Sequence, residues 1–115
     1  MTSVDIRNLA DIILKWPMQK MIEVEGKKYL LAHAMTSPPE VSEIEDYYLM
    51  GTSWSKGYLN EGIDGYISIC GHTRTKNGRI WKNQKENLYM IDCGCGFSSG
   101  KLSCLCLETK EEFYV

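Results

Sequence analysis

The chain has two histidines, and each one ends a short apolar segment that predicts a buried strand. His33 ends the segment at residues 29–33, and His72 ends the segment at residues 65–72. Ligands of open α/β folds gather where strands end, because side chains there leave the packed sheet and converge on a crevice. A neutral imidazole at such a place is a good ligand for a divalent transition metal. The two histidines therefore predict half of a metal site.

The residues around His72 favour this interpretation over the commoner one, a hydrogen-bonded histidine in the core. Gly71 and Thr73 flank it, and a small residue before and a hydroxyl after let the backbone turn sharply and orient the ring. Asp92 ends another predicted strand beside a glycine. Its carboxylate either faces the same crevice as His72 or stabilises a turn.

The cysteines form a rival metal site. Two Cys-x-Cys pairs flank a glycine-rich loop, and four thiolates would suit tetrahedral zinc: Cys93, Cys95, Cys104 and Cys106. Structural zinc sites usually carry Cys-x-x-Cys, so buried reduced thiols are the favoured interpretation. Five cysteines is an odd number, and no secretion signal precedes them, which predicts a reducing, cytoplasmic setting.

Two other chemistries find less support in the sequence. The glycine-rich loop at residues 94–100 lacks the lysine and hydroxyl pattern of a phosphate-binding P-loop. Five aromatic side chains are candidates for stacking on a base or covering a groove, although core and rim positions are the favoured interpretation for most of them: Tyr47, Tyr48, Trp54, Tyr58 and Trp81.

Length and composition bound the class of protein. A chain of 115 residues with 43% hydrophobic and 24% charged residues predicts a single globular domain over residues 1–115. The formal net charge of −2 offers no basic face for nucleic acid or an anionic membrane. No apolar run is long enough to span a bilayer. We therefore expect neither nucleic acid nor membrane as a partner.

The elements that must position the histidines follow from periodicity and turn signals. Ser3 predicts a helix N-cap, and a helical apolar stripe follows before Pro17 ends the helix: Ile6, Leu9, Ala10 and Ile13. Residues 22–32 predict a hairpin, and strands are expected at residues 66–70, 79–82 and 87–92. Residues 102–107 and 112–115 predict a closing hairpin. The expected fold is α+β or α/β, with a short N-terminal helix and then mainly antiparallel strands.

Four segments in this order resemble the C-terminal half of the calcineurin-like metallophosphoesterases. They are Tyr-Leu-Leu-Ala-His-Ala at residues 29–34, Ile-Cys-Gly-His-Thr at 69–73, Met-Ile-Asp-Cys-Gly-Cys-Gly at 90–96 and Gly-Lys-Leu-Ser-Cys-Leu at 100–105. The bacterial serine/threonine protein phosphatases and symmetrical dinucleoside tetraphosphatases are the most similar branch. The resemblance implies one half of a β-sandwich flanked by helices, with a site for two metal ions.

The resemblance also implies roles for individual residues. His33 and His72 would bind the second metal, which is manganese, iron or zinc in this family. Phosphate esters would be hydrolysed by in-line attack of a metal-activated water. Arg74 stands where the family commonly has proline, and it is a candidate for contacting the substrate phosphate.

The motifs of the family's N-terminal half are absent from the sequence: Gly-Asp-x-His-Gly, Gly-Asp-x-x-Asp-Arg-Gly and Gly-Asn-His-Glu. We therefore expect no catalytic residue in this chain, little hydrolase activity and a metal that is weakly bound or absent. Half a sandwich exposes apolar sheet surface, which predicts self-association or a partner chain that supplies the missing half. The alternative function is a non-catalytic protein-interaction module derived from the fold.

Overall fold

The computed structural model describes residues 2–41 and 61–115. Within these residues one helix precedes seven strands: α1 (Ser3–Ile13), β1 (Gln19–Val24), β2 (Lys27–Ala32), β3 (Ile67–Cys70), β4 (Trp81–Lys82), β5 (Leu88–Met90), β6 (Ser103–Leu105) and β7 (Glu112–Tyr114). A short helix followed by mostly antiparallel strands, in a mixed sheet and a small second sheet, confirms the α+β class. Four of the five aromatic candidates for a stacking surface, at positions 47, 48, 54 and 58, lie outside the described residues.

The main sheet has the strand order β1-β2-β3-β5-β4. Its three inner strands, β2, β3 and β5, run parallel, and the outer strands β1 and β4 pair antiparallel with β2 and β5. Glu25 and Gly26 join β1 to β2, and both have positive φ (52° and 72°), as a tight two-residue hairpin loop of type I′ requires. Because the inner strands are parallel, their carboxyl-terminal ends lie at the same end of the sheet.

The core divides between the two faces of this sheet, because successive side chains of a strand point to opposite faces. On one face Met35, Cys70, Leu88 and Met90 form a buried cluster. On the other face Tyr29, Ile69 and Tyr89 are buried under partly exposed aliphatic side chains. In β3, Ile69 and Cys70 point to opposite faces, and in β5 Tyr89 points away from the face that holds Leu88 and Met90. Strands β3 and β5 therefore lie between the two clusters.

The second sheet is a hairpin of β6 and β7, as the sequence predicted, and contacts with Tyr29 hold its turn. The Tyr29 hydroxyl donates a hydrogen bond to the carbonyl of Leu107 over 3.1 Å. Lys110 Nζ donates to the same carbonyl over 2.8 Å and also contacts the Tyr29 hydroxyl. Leu105 and Leu107 lie against the buried cluster of Tyr29, so both polar and apolar contacts join the hairpin to the main sheet.

Helix α1 differs from the prediction in two respects. Its N-cap is Thr2, not Ser3, because the Thr2 side chain accepts the Asp5 N–H and the Asp5 carboxylate accepts the Thr2 N–H. The predicted apolar stripe does not pack on the sheet, since every residue of the helix is exposed. Within residues 2–41 and 61–115, no helix has the length and apolar character needed to cross a membrane.

Candidate functional site

The structure brings the two histidines together at the carboxyl-terminal ends of the parallel strands. His33 follows β2 and His72 follows β3 by two residues. His33 Nε2 and His72 Nδ1 are 2.9 Å apart, and the ring centroids are 4.8 Å apart at an interplanar angle of 66°. Both residues are exposed. Two imidazoles thus meet edge to face at a place that solvent and ligands can reach.

Backbone hydrogen bonds fix the segments that carry the two rings. The Gly71 N–H donates to the carbonyl of His33 over 2.8 Å, which extends the pairing of β2 and β3 past their ends. The Thr73 N–H donates to the carbonyl of Gly71 over 2.8 Å and closes a three-residue turn centred on His72. The ring contact therefore rests on main-chain geometry as well as on the side chains.

His72 has a φ of +66°, a conformation that side chains other than glycine rarely adopt. Such residues persist only where the surrounding structure holds them, and they cluster at functional sites. The flanking Gly71 and Thr73 predicted a sharp turn, but the left-handed conformation of the histidine itself had no signal in the sequence. It aims the ring of residue 72 at His33.

The two ring nitrogens that face each other are joined by a hydrogen bond. His33 Nε2 and His72 Nδ1 are 2.9 Å apart, so one ring donates its N–H to the other. At a metal–nitrogen distance of about 2.0–2.1 Å, two nitrogens on one tetrahedral ion are separated by roughly 3.3–3.4 Å, so a shared ion requires the rings to turn and separate slightly. Among the described residues no group of three or more His, Cys, Asp or Glu side chains could hold a metal ion. This part of the chain thus brings two imidazoles together without a third side-chain ligand beside them.

Asp92 takes the turn-stabilising role rather than a third ligand position. It lies beside the histidine segment, because a Cβ added at Gly71 would be 3.7 Å from the Asp92 Cβ. Its Oδ1 accepts the N–H of Gly94 over 2.9 Å, which is the Asx-turn geometry expected where a strand enters a glycine-rich loop.

Arg74, the predicted phosphate contact, lies on the wall of a pocket and not between the two rings. Its guanidinium carbon is 4.5 Å from the centroid of the Phe97 ring, a cation–π contact. Its side chain also passes so close to Gly94 that a Cβ there would lie within 2.4 Å of Arg74 Cδ. The pocket has a volume of about 550 Å³, and Trp81 forms part of its wall. His33 lines a different pocket.

The cysteines do not assemble the rival site within the described residues. All five cysteines lie in the described part of the chain, where none forms a disulfide and no three-ligand cluster occurs. Of the cysteines in the two Cys-x-Cys pairs, Cys93 is buried, as favoured from the sequence, but Cys95 is exposed, so for Cys95 the expectation of burial is wrong. For Cys104 the expectation of burial is wrong, because alternate residues of the two-stranded sheet face solvent and Cys104 is exposed there.

The chain matches no protein-family model, and comparison with curated proteins finds no significant match.

Proposed function

We propose that this chain is the C-terminal portion of a metal-dependent phosphoesterase of the phosphoprotein phosphatase or dinucleoside polyphosphate hydrolase type. His33 and His72 contribute two ligands to its dinuclear metal site, and the chain alone is inactive. A partner chain carrying the missing carboxylate, amide and histidine groups completes the site.

The observation that supports this proposal is the 2.9 Å separation of His33 Nε2 and His72 Nδ1 at the carboxyl edge of parallel strands. Ligands of open α/β sheets bind at this edge. Two exposed imidazoles that share a hydrogen bond, on segments joined by a backbone hydrogen bond, lie close enough for a small rotation of the rings to bring both nitrogens to one ion. The four-segment resemblance adds the reaction class.

A divalent metal in such a site stabilises charge on the phosphoryl group and activates water. The chain's own contribution is to hold the ion and its ligand geometry. His33 and His72 would hold the ion through one ring nitrogen each in place of their mutual hydrogen bond, and the turn after Gly71 keeps the two rings close together. Arg74 supplies positive charge for a substrate phosphate. With two protein ligands in place of the usual three or four, the affinity for the ion is low.

The test is a manganese titration followed by proton NMR, which is simple because the chain has only two histidines. Manganese avoids the thiolates that would compete for zinc, since it prefers harder ligands. We expect paramagnetic Mn²⁺ to broaden the ring resonances of both histidines together. His33→Ala should abolish the broadening of His72, and His72→Ala that of His33. Independent broadening of either ring would overturn the shared site.

Activity provides the second readout. The chain with Mn²⁺ should hydrolyse nitrophenyl phosphate no faster than the His33→Ala variant, because the described residues provide no third metal ligand. Rapid turnover that His33→Ala removes would contradict the proposal that the chain needs a partner.

The alternative function, a non-catalytic protein-interaction module, is favoured by the exposure of α1. A capped helix with apolar residues such as Leu9 (47% exposed) and Ile12 (53% exposed) offers a ready binding face. The DNA immediately upstream of the coding sequence discriminates the two functions. A Gly-Asn-His-Glu segment in any frame there favours the enzyme, and unrelated sequence favours the module.

A further inference from the structure

The pocket beside Arg74 lies at the same edge of the sheet as the histidines but is built from other residues. Residues 73–77 leave the end of β3 and form one wall. Trp81 forms another, and its Cα is in register with Met90 at the end of β5. A volume of about 550 Å³ is within the range of small-molecule sites.

The described residues of the pocket carry a net positive charge, although the chain as a whole has a net charge of −2. Arg74 and Lys76 both line it, and none of the described residues in its wall is acidic. The cation–π contact with Phe97 holds the Arg74 guanidinium in place before any ligand arrives. Arginine presents paired N–H donors that match the oxygens of a phosphate group.

Thr75 adds a hydrogen-bond donor that the fold does not use. The residue is 9% exposed, and its N–H donates to the carbonyl of Asp92 over 2.8 Å. Its side-chain Oγ1 is buried and has no hydrogen-bond partner within the part of the chain that the structure describes. Buried hydroxyls are nearly always paired, because an unpaired one loses its hydrogen bonds to water without compensation. An acceptor atom from a bound ligand would satisfy it.

Trp81 provides an apolar surface in the same wall. The residue is 40% exposed although its backbone belongs to β4, so part of the indole faces the pocket instead of the core. Indole rings stack well on flat aromatic groups. The pocket therefore combines a stacking surface, two cations and an unused hydroxyl.

From these features we infer that the pocket binds a phosphate monoester carrying a planar aromatic group. The aromatic group stacks on Trp81, and the phosphate lies between Arg74 and Lys76, where it accepts a hydrogen bond from Thr75 Oγ1. Hydrolysis of this ligand rests on the proposed function, but its binding does not, because none of these four side chains is a proposed metal ligand.

Phenyl phosphate is a suitable probe, and a chelator keeps the protein free of metal during the titration. The indole N–H of Trp81 is followed by two-dimensional ¹H–¹⁵N NMR and assigned by its loss in Trp81→Phe. We expect a saturable shift of this resonance. Glycerol 2-phosphate, which lacks the ring, and phenol, which lacks the phosphate, should each bind at least fivefold more weakly. Equal affinity for all three probes, or no shift with phenyl phosphate, would overturn the inference.

Three variants separate this site from a merely structural cluster. Thr75→Val should raise the urea midpoint of unfolding, because it removes an unpaired buried hydroxyl, and yet weaken phenyl phosphate about tenfold. Lys76→Gln should weaken phenyl phosphate and leave phenol unchanged. Trp16→Phe, at an exposed tryptophan in the other pocket, is the matched control and should leave both affinities unchanged. Unchanged affinity in Thr75→Val and Lys76→Gln contradicts the site, whatever the manganese titration of the histidines shows.

Discussion

The left-handed backbone of His72 is the residue-scale feature on which the histidine contact depends. A φ of +66° costs a side chain with a Cβ roughly 1–2 kcal/mol relative to the right-handed conformation. The neighbouring turn hydrogen bond, from Thr73 to Gly71, keeps the residue there. The conformation thus lowers the free energy of unfolding locally, and it brings one imidazole ring to the other.

Replacing His72 by glycine should therefore remove the ring without weakening the fold. Glycine adopts positive φ freely, so the relief of strain offsets the lost ring contact and the greater freedom of the unfolded chain. We expect His72→Gly to keep the free energy of unfolding within about 0.5 kcal/mol of the native value, or to raise it. Urea unfolding measures this quantity.

His33→Gly is the matched control, because His33 is not among the described residues with positive φ. It relieves no strain, and glycine at an ordinary position costs about 0.5–1 kcal/mol in addition to the lost contact. We expect the unfolding free energy of His33→Gly to fall by about 1–2 kcal/mol. An equal loss in both variants would show that the conformation of His72 carries no strain.

At the scale of an element, the stability of the first turn of α1 depends on pH. Hydrogen bonds from the Thr2 backbone N–H and then from its hydroxyl hold the pKa of Asp5 below its ordinary value of 3.8. A carboxylate with a depressed folded-state pKa stabilises the fold above its unfolded pKa, and this contribution is lost as the pH falls through the folded-state pKa. The capping box should therefore open in acid.

We expect the helix content of residues 3–6 to be constant above about pH 5 and to decline as the pH falls below 3.8. Backbone chemical shifts of these residues report the change locally, so other carboxylates do not obscure it. Asp5→Asn is the control, because it is isosteric and does not titrate. Its first turn should be less helical than the native one at neutral pH and independent of pH. Identical pH profiles for the two proteins would contradict a role for the box.

The elements could be predicted from sequence to the extent that local signals fix them. Alternating apolar residues and a turn signal at Gly26–Lys27 indicated the first hairpin, although its loop consists of Glu25 and Gly26, one residue earlier. The second hairpin followed in the same way. That the two histidines lie close together was expected from their positions at strand ends, but the direct hydrogen bond between their rings was not. These features depend on periodicity and turn chemistry, which act over a few residues.

Features that depend on distant partners had no local signal. The stripe of α1 predicts packing, but whether a partner surface is available is a property of the whole fold. Gly100 shows the same limit, since a Cβ there would lie 1.6 Å from the Gly94 carbonyl oxygen, a contact made only when the loop closes. The pocket at Thr75 and Trp81 likewise arises from strand register, which joins residues far apart in sequence.

At the scale of the molecule, the chain presents apolar surface on two neighbouring elements. The end of α1 and the sheet face next to it line a pocket of about 590 Å³, with Trp16, Leu31 and Ile69 in its wall. Trp16 is 62% exposed. Contiguous apolar surface of this kind marks an interaction site, because covering it removes apolar area from water.

We expect this surface to make the chain self-associate as its concentration rises, with Leu9 contributing through the face of α1. Burying a leucine side chain is worth about 1.5–3 kcal/mol, so Leu9→Lys should weaken the association about tenfold or more. Since Leu9 is 47% exposed, the substitution should leave the unfolding free energy nearly unchanged. Sedimentation equilibrium over a hundredfold range of concentration measures the association constant. Leu102→Lys, at a comparably exposed leucine (58%) outside the helix, should associate as the native chain does. A native chain that stays monomeric throughout, or an equal effect of both substitutions, would remove α1 from any account of how this molecule meets its partners.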